Sequence, residues 1–191
     1  MKAKIFIVLG LVGIMLMGAA CGQKDEQKDR QSQTDFSVVT GGIELTVPEN
    51  MDVQIKDEGL ILTDEDLNYQ MLCVVGKKDF DERKKTPEVY MEGVKDAGLT
   101  ITKEVELVTV GGREFAYFDY DNDSDHVLLA YSKAGKGKTF AAQVVRYGDA
   151  GDEEILNSVA KILETGKETN APDTTQDDLI TKKAGVSATD Y

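Results

Sequence analysis

Between residues 100 and 147 the chain reads "TITKEVELVTVGGREFAYFDYDNDSDHVLLAYSKAGKGKTFAAQVVRY". Three clusters of turn residues divide this stretch: Gly111-Gly112, residues 122–125 and residues 134–137. The runs between them are rich in valine, tyrosine and phenylalanine, which pack well on a pleated surface, and paired glycines supply the positive φ that a tight hairpin needs. Four antiparallel strands in a meander follow, and a sheet of that kind must bury at least one face under another layer.

The remaining periodicities supply the layers. "GIELTVPENMDVQI" puts Ile43, Leu45 and Val47 on one strand face, breaks at Pro48 and Glu49-Asn50, and resumes at Met51, Val53 and Ile55. "GLILTDEDLNYQMLCVV" reads as a hairpin with strands over 60–63 and 69–75. "TPEVYMEGVKDAGL" predicts a helix with Thr86 as its cap, Pro87 in its first turn, Tyr90, Val94 and Ala97 on one face, and Gly98 as its stop. "DEEILNSVAKILETG" predicts a closing helix with acids at its N-terminus and Ile155, Leu156, Val159, Ile162 and Leu163 as a wide apolar face. The expected class is α+β: an antiparallel β-sheet flanked by helices.

In "GIELTVPENMDVQ", "TPEVYMEGV", "VTVGGREFAYFDY" and "GKTFAAQVV" the chain resembles the PsbP-like family. These are α/β/α sandwiches shared by an extrinsic photosystem subunit, a Ran-binding nuclear-import factor and many bacterial lipoproteins. The resemblance spans about 130 residues and implies a domain that binds other proteins. Met51 stands where the family often carries tryptophan.

The N-terminus is of a different kind. Residues 5–17 are apolar or glycine throughout, preceded by Lys2 and Lys4 and followed by Gly18-Ala19-Ala20-Cys21. A cationic start, a short apolar run and small residues form an export signal, and the run is shorter than the roughly 20 residues that span a bilayer. Ala19, Ala20 and Cys21 resemble the end of a bacterial lipobox, with Gly18 where leucine is commonest. The resemblance implies cleavage after Ala20 and diacylglyceryl transfer to Cys21. Two or more acyl chains give stable anchoring where one is marginal. Cys73 is then left without an intrachain partner.

The expected organisation is a lipoprotein signal peptide over 1–20, a disordered tether over 21–34, the PsbP-like domain over 35–166 and a disordered tail over 167–191. Both flanks are too polar to order themselves. With 35 acidic side chains against 22 basic ones, a net charge of −13, the chain repels phosphate backbones, and nucleic-acid binding is excluded.

Candidate chemistry is sparse. Asp119, Asp121, Asp123 and Asp125 alternate like the start of a calcium loop, but Ser124 replaces the required glycine and Ala130 the closing glutamate, which leaves a weak metal site beside the simpler reading of a solvated hairpin tip. His126, the sole histidine, lacks partners for a zinc site or a catalytic dyad. Cys73 lies on an apolar strand face and reads as a small buried hydrophobe. "KAGKGK" lacks the spacing of a phosphate loop and reads as a basic turn. No catalytic residue and no cofactor is expected.

In a meander alternate turns share an end, so Arg113, Lys133, Lys136 and Lys138 should gather at one end and the aspartates at the other, about 25 Å away. Oppositely charged tips suit recognition of a partner. The expectation is a binding protein held by its lipid on the extracytoplasmic face of a cell membrane, with an envelope protein as partner. The alternative is a small-ligand or ion-binding lipoprotein serving a transporter. A concave apolar pocket with convergent polar groups would favour the alternative, and a flat aromatic patch the protein partner.

Overall fold

The computed structural model describes residues 36–57, 59–122 and 125–183. The expected signal peptide, Cys21, the tether, Asp123 and the chain beyond 183 lie outside the described residues. No helix among the described residues is long and apolar enough to cross a membrane.

The class is α+β with antiparallel sheets. A seven-stranded sheet is built from β3 (Met51–Lys56), β4 (Gly59–Asp64), β5 (Tyr69–Gly76), β6 (Thr100–Val110), β7 (Arg113–Asn122), β8 (Asp125–Gly135) and β9 (Lys138–Arg146), in the order β3-β4-β5-β9-β8-β7-β6. The meander forms as expected. Val110 faces Arg113 across Gly111-Gly112, whose φ values of 57° and 74° suit a tight hairpin, and Asn122 faces Asp125. The hairpin of β4 and β5 joins it by pairing Cys73 with Ala142 and Leu72 with Gln143.

Sheet order dictates what covers each face. β5 lies inside the sheet and β6 at its edge, so residues 77–99 must cross three strands. They do so as α1 (Phe80–Arg83), a 3-10 turn (Pro87–Tyr90) and α2 (Glu92–Asp96). The single helix expected over 86–97 is therefore replaced by short pieces, although Pro87 does open one and Gly98, at φ 77°, does end the segment. Phe80, Tyr90, Met91 and Val94 pack on Ile61, Leu72, Phe118, Leu129 and Val145.

The opposite face is sealed by α3 (Asp152–Glu164) and a small sheet of β1 (Phe36–Thr40), β2 (Ile43–Val47) and β10 (Lys167–Glu168). Ile155, Leu156, Val159, Ile162 and Leu163 are all buried there, as the apolar stripe requires. Glu154 accepts from the Gly151 N–H at 2.9 Å, and Asp152, Glu153 and Glu154 fill the first turn, where the helix dipole favours acids.

The folded unit extends past the expected boundary at Gly166. β10 pairs with β2, the Val39 N–H donates to Thr174 Oγ1 and the Thr174 N–H to the Val39 carbonyl, and the Ile55 N–H donates to Gln176 Oε1 at 2.7 Å. Then α4 (Gln176–Lys183) drops Leu179 into the core at 1% exposure, while Ile180 stays exposed. The described part of the polar tail, 167–183, is held in place because it satisfies backbone groups of β1 and β3, partners a local reading cannot see.

Candidate functional site

Between the sheet and the 77–99 segment lies a cavity of about 220 Å³. Its floor comes from alternate residues of four neighbouring strands: Val74 of β5, Tyr120 of β7, Leu129 and Tyr131 of β8, and Ala141 and Gln143 of β9. Its roof is Val89, Tyr90, Gly93 and Val94, with Lys77, Lys78 and Arg83 also in the lining. A regular helix here would present a continuous stripe and fill the gap. Three pieces of four or five residues leave it open.

The wall is aromatic. Tyr90 stacks on Tyr131 with ring centroids 4.4 Å apart, and the Arg83 guanidinium lies 4.8 Å from the Tyr90 centroid. Gln143 donates to the Tyr120 hydroxyl. Burial pushes the phenols of Tyr90 and Tyr120 up to about 12, so both remain hydroxyls at neutral pH. Two polar atoms of the lining residues, the Tyr90 hydroxyl and Arg83 Nε, are buried with no hydrogen-bond partner among the described residues. Apolar walls with a few converging polar groups are the ordinary form of a small-molecule site.

The residues expected from sequence lie elsewhere. Arg113, Lys133, Lys136 and Lys138 do share one end of the sheet: Arg113 Nη1 donates to the Lys133 carbonyl at 2.9 Å. Three of them are engaged within the domain. Arg113 Nη2 donates to the Leu163 carbonyl and so caps α3, Lys133 pairs with Asp81 at 2.6 Å, and Lys138 Nζ donates to the carbonyls of Gly41 and Gly42. Lys136 is exposed, and its backbone N–H donates to Glu168 Oε1 at 2.6 Å. Gly111, Gly112, Arg113 and Lys133 line a shallow hollow with Asp81, Glu114 and Glu164, so that end is mixed in charge.

At the opposite end Asp119 and Asp121 are drawn into a network of polar contacts and ion pairs. His126 Nδ1 lies 2.9 Å from Asp121 and its Nε2 3.4 Å from Asp119, and Arg146 bridges Asp119 and Asp152. Lys103 contacts Asp152 at 3.0 Å and donates to Tyr117, whose hydroxyl donates to Glu106. Burial raises the Asp119 carboxyl above the usual range. Burial would do the same to Asp152, but hydrogen bonds and charge from Lys103 and Arg146 hold it below. Asp125 pairs with Asn122, on the other face from Asp121 and His126, so it does not join Asp119 and Asp121 at His126. Among the described residues no three histidine, cysteine or carboxylate groups are placed to hold a metal ion. Cys73 is fully buried, and burial pushes its thiol up, which removes it as a nucleophile.

No protein-family model matches the chain, and no curated protein matches it.

Proposed function

We propose that the chain is a lipid-anchored, extracytoplasmic binding protein with a PsbP-like α/β/α domain, and that its binding site is the aromatic cavity beneath the 77–99 segment. The observation that carries this reading is the concavity itself, apolar over the sheet and polar at Tyr90 and Arg83. The layered arrangement, a sheet between a broken helical segment and α3, supports the family resemblance. "GAAC" after a short apolar run supports the anchor at Cys21. A lining of apolar, aromatic and cationic side chains suits holding a ligand better than transferring protons. Recognition of an envelope protein through the basic tip draws less support, because Arg113, Lys133 and Lys138 are engaged within the domain.

Native mass spectrometry of the protein released from its own membrane tests the site. A bound small molecule that is missing from Ala141→Leu, a variant that fills the cavity from its floor, supports the reading. Each protein at its own ligand-free mass, with surface crosslinking that captures a neighbour, overturns it. The anchor has its own test: Cys21→Ser should leave the precursor uncut and unlipidated, and a native N-terminus beyond Cys21 without lipid contradicts it.

A further inference from the structure

The charge around the cavity runs against that of the chain. In a protein with 35 acidic and 22 basic side chains, three cations, Lys77, Lys78 and Arg83, line one small hollow. None of the three has a carboxylate partner among the described residues, whereas Lys84, Lys85, Lys103, Lys133 and Arg146 all do. Arg83 differs from the other two described arginines. Arg146 bridges two aspartates and Arg113 is held by two carbonyls, whereas Arg83 makes one long hydrogen bond, from Nη2 to the Val89 carbonyl at 3.4 Å. A guanidinium has five N–H donors in a rigid fork matched to a carboxylate. Beside it stands Tyr90, 3% exposed, its hydroxyl without a partner among the described residues. Leaving such groups unsatisfied costs stability unless a ligand satisfies them.

Resting on the reading of this cavity as the binding site, we infer that it takes a small, mostly apolar monocarboxylate, its carboxylate on Arg83 and Tyr90 and its body against Tyr120, Leu129 and Tyr131. Size and charge both point this way. A volume of about 220 Å³ is smaller than the roughly 300 Å³ at which drug-sized pockets begin, which limits the body to about one ring or a short chain. One guanidinium and one phenol offer the few donors that a planar monoanion needs, fewer than a phosphate dianion would use. Lys77 and Lys78 add an attractive field that favours entry of anions.

The test is a calorimetric or NMR titration of the purified protein with 3-phenylpropionate and with its neutral isostere 3-phenylpropionamide. The acid should bind roughly tenfold tighter, and Arg83→Gln should remove that preference while weak binding of the amide persists. Melting curves verify that the variant is folded, and the acid-to-amide ratio in the unaltered protein needs no variant at all. Equal affinity for acid and amide overturns the monocarboxylate inference while the cavity stands. No binding of either probe, with no change on Ala141→Leu, overturns the cavity reading as well.

Discussion

The two faces of the seven-stranded sheet are covered in unlike ways. On one, α3 runs for 13 residues and lays a continuous apolar stripe on the strands, and the small sheet with Leu179 closes the rest. On the other, the crossing from β5 to β6 is made of short turns, which cannot present such a stripe and leave a cavity lined by tyrosines and an arginine. Native cores are packed to crystal-like density, so a hollow lined by tyrosines and an arginine is a departure that calls for a use. One face is sealed by a continuous stripe, and the other keeps the hollow proposed above as the binding site.

Truncation after Gly166 should have the largest effect, since it strips β10, the Thr174 and Gln176 bonds and Leu179 from the sealed face. A buried leucine is worth about 2–5 kcal/mol, and each hydrogen bond about 0.5–1.5 kcal/mol, so urea unfolding should show a loss of several kcal/mol. A loss under about 1 kcal/mol would break the distinction between the faces.

Asp152 sharpens the same comparison at the start of α3. Asp152→Asn removes a charge-assisted pairing with Arg146 and Lys103, and should cost about 1.5–3 kcal/mol at pH 7. The sign of its pH dependence follows from its lowered folded value. Its contribution is present above the usual carboxylate range, near pH 4, and is lost as pH falls through the folded value. The variant should therefore lose less stability on acidification. Asp119, raised by burial, acts in the opposite sense: its contribution is complete below the usual range and disappears as pH rises through the raised value, so it offsets part of the change. Stability curves from pH 2 to 7 check both.

The neighbours Ala141 and Ala142 sit on the same strand and face opposite ways. Ala142→Leu overpacks a filled core and should cost about 1–3 kcal/mol, whereas Ala141→Leu grows into the cavity and should stay within about 0.5 kcal/mol. Equal costs would mean that the two faces are equally packed. The smallest effect is at the basic end: Lys136→Glu should change stability by less than about 0.5 kcal/mol, because the side chain is exposed.

What was legible in the sequence was local. Gly111-Gly112 and the period-two runs of residues 100–147 specify their own hairpins, and the stripe of α3 specifies which way that helix faces. The broken segment misled because Tyr90 and Val94 keep helical spacing while Gly93 between them weakens the helix; crossing three strands then selects turns over a rod. β1, "FSVVT", follows a polar tether and is fixed by β2 and the remote Thr174, which its own short pattern does not reveal. The lysines of the basic turn could be placed together, but their acceptors on Gly41, Gly42 and Asp81 come from distant parts of the chain. The cavity was invisible for the same reason: its lining is gathered from β5, β7, β8, β9 and the crossing segment, and no single stretch carries a motif.

The central claim, that binding belongs to the loosely covered face, is tested most directly by methyl NMR of the purified protein titrated with 3-phenylpropionate. The account expects saturable shifts at Val74, Val89, Val94, Leu129 and Ala141, with Ile155, Leu156 and Val159 unmoved. Shifts centred on the α3 methyls, or none at any methyl up to millimolar ligand, would contradict it.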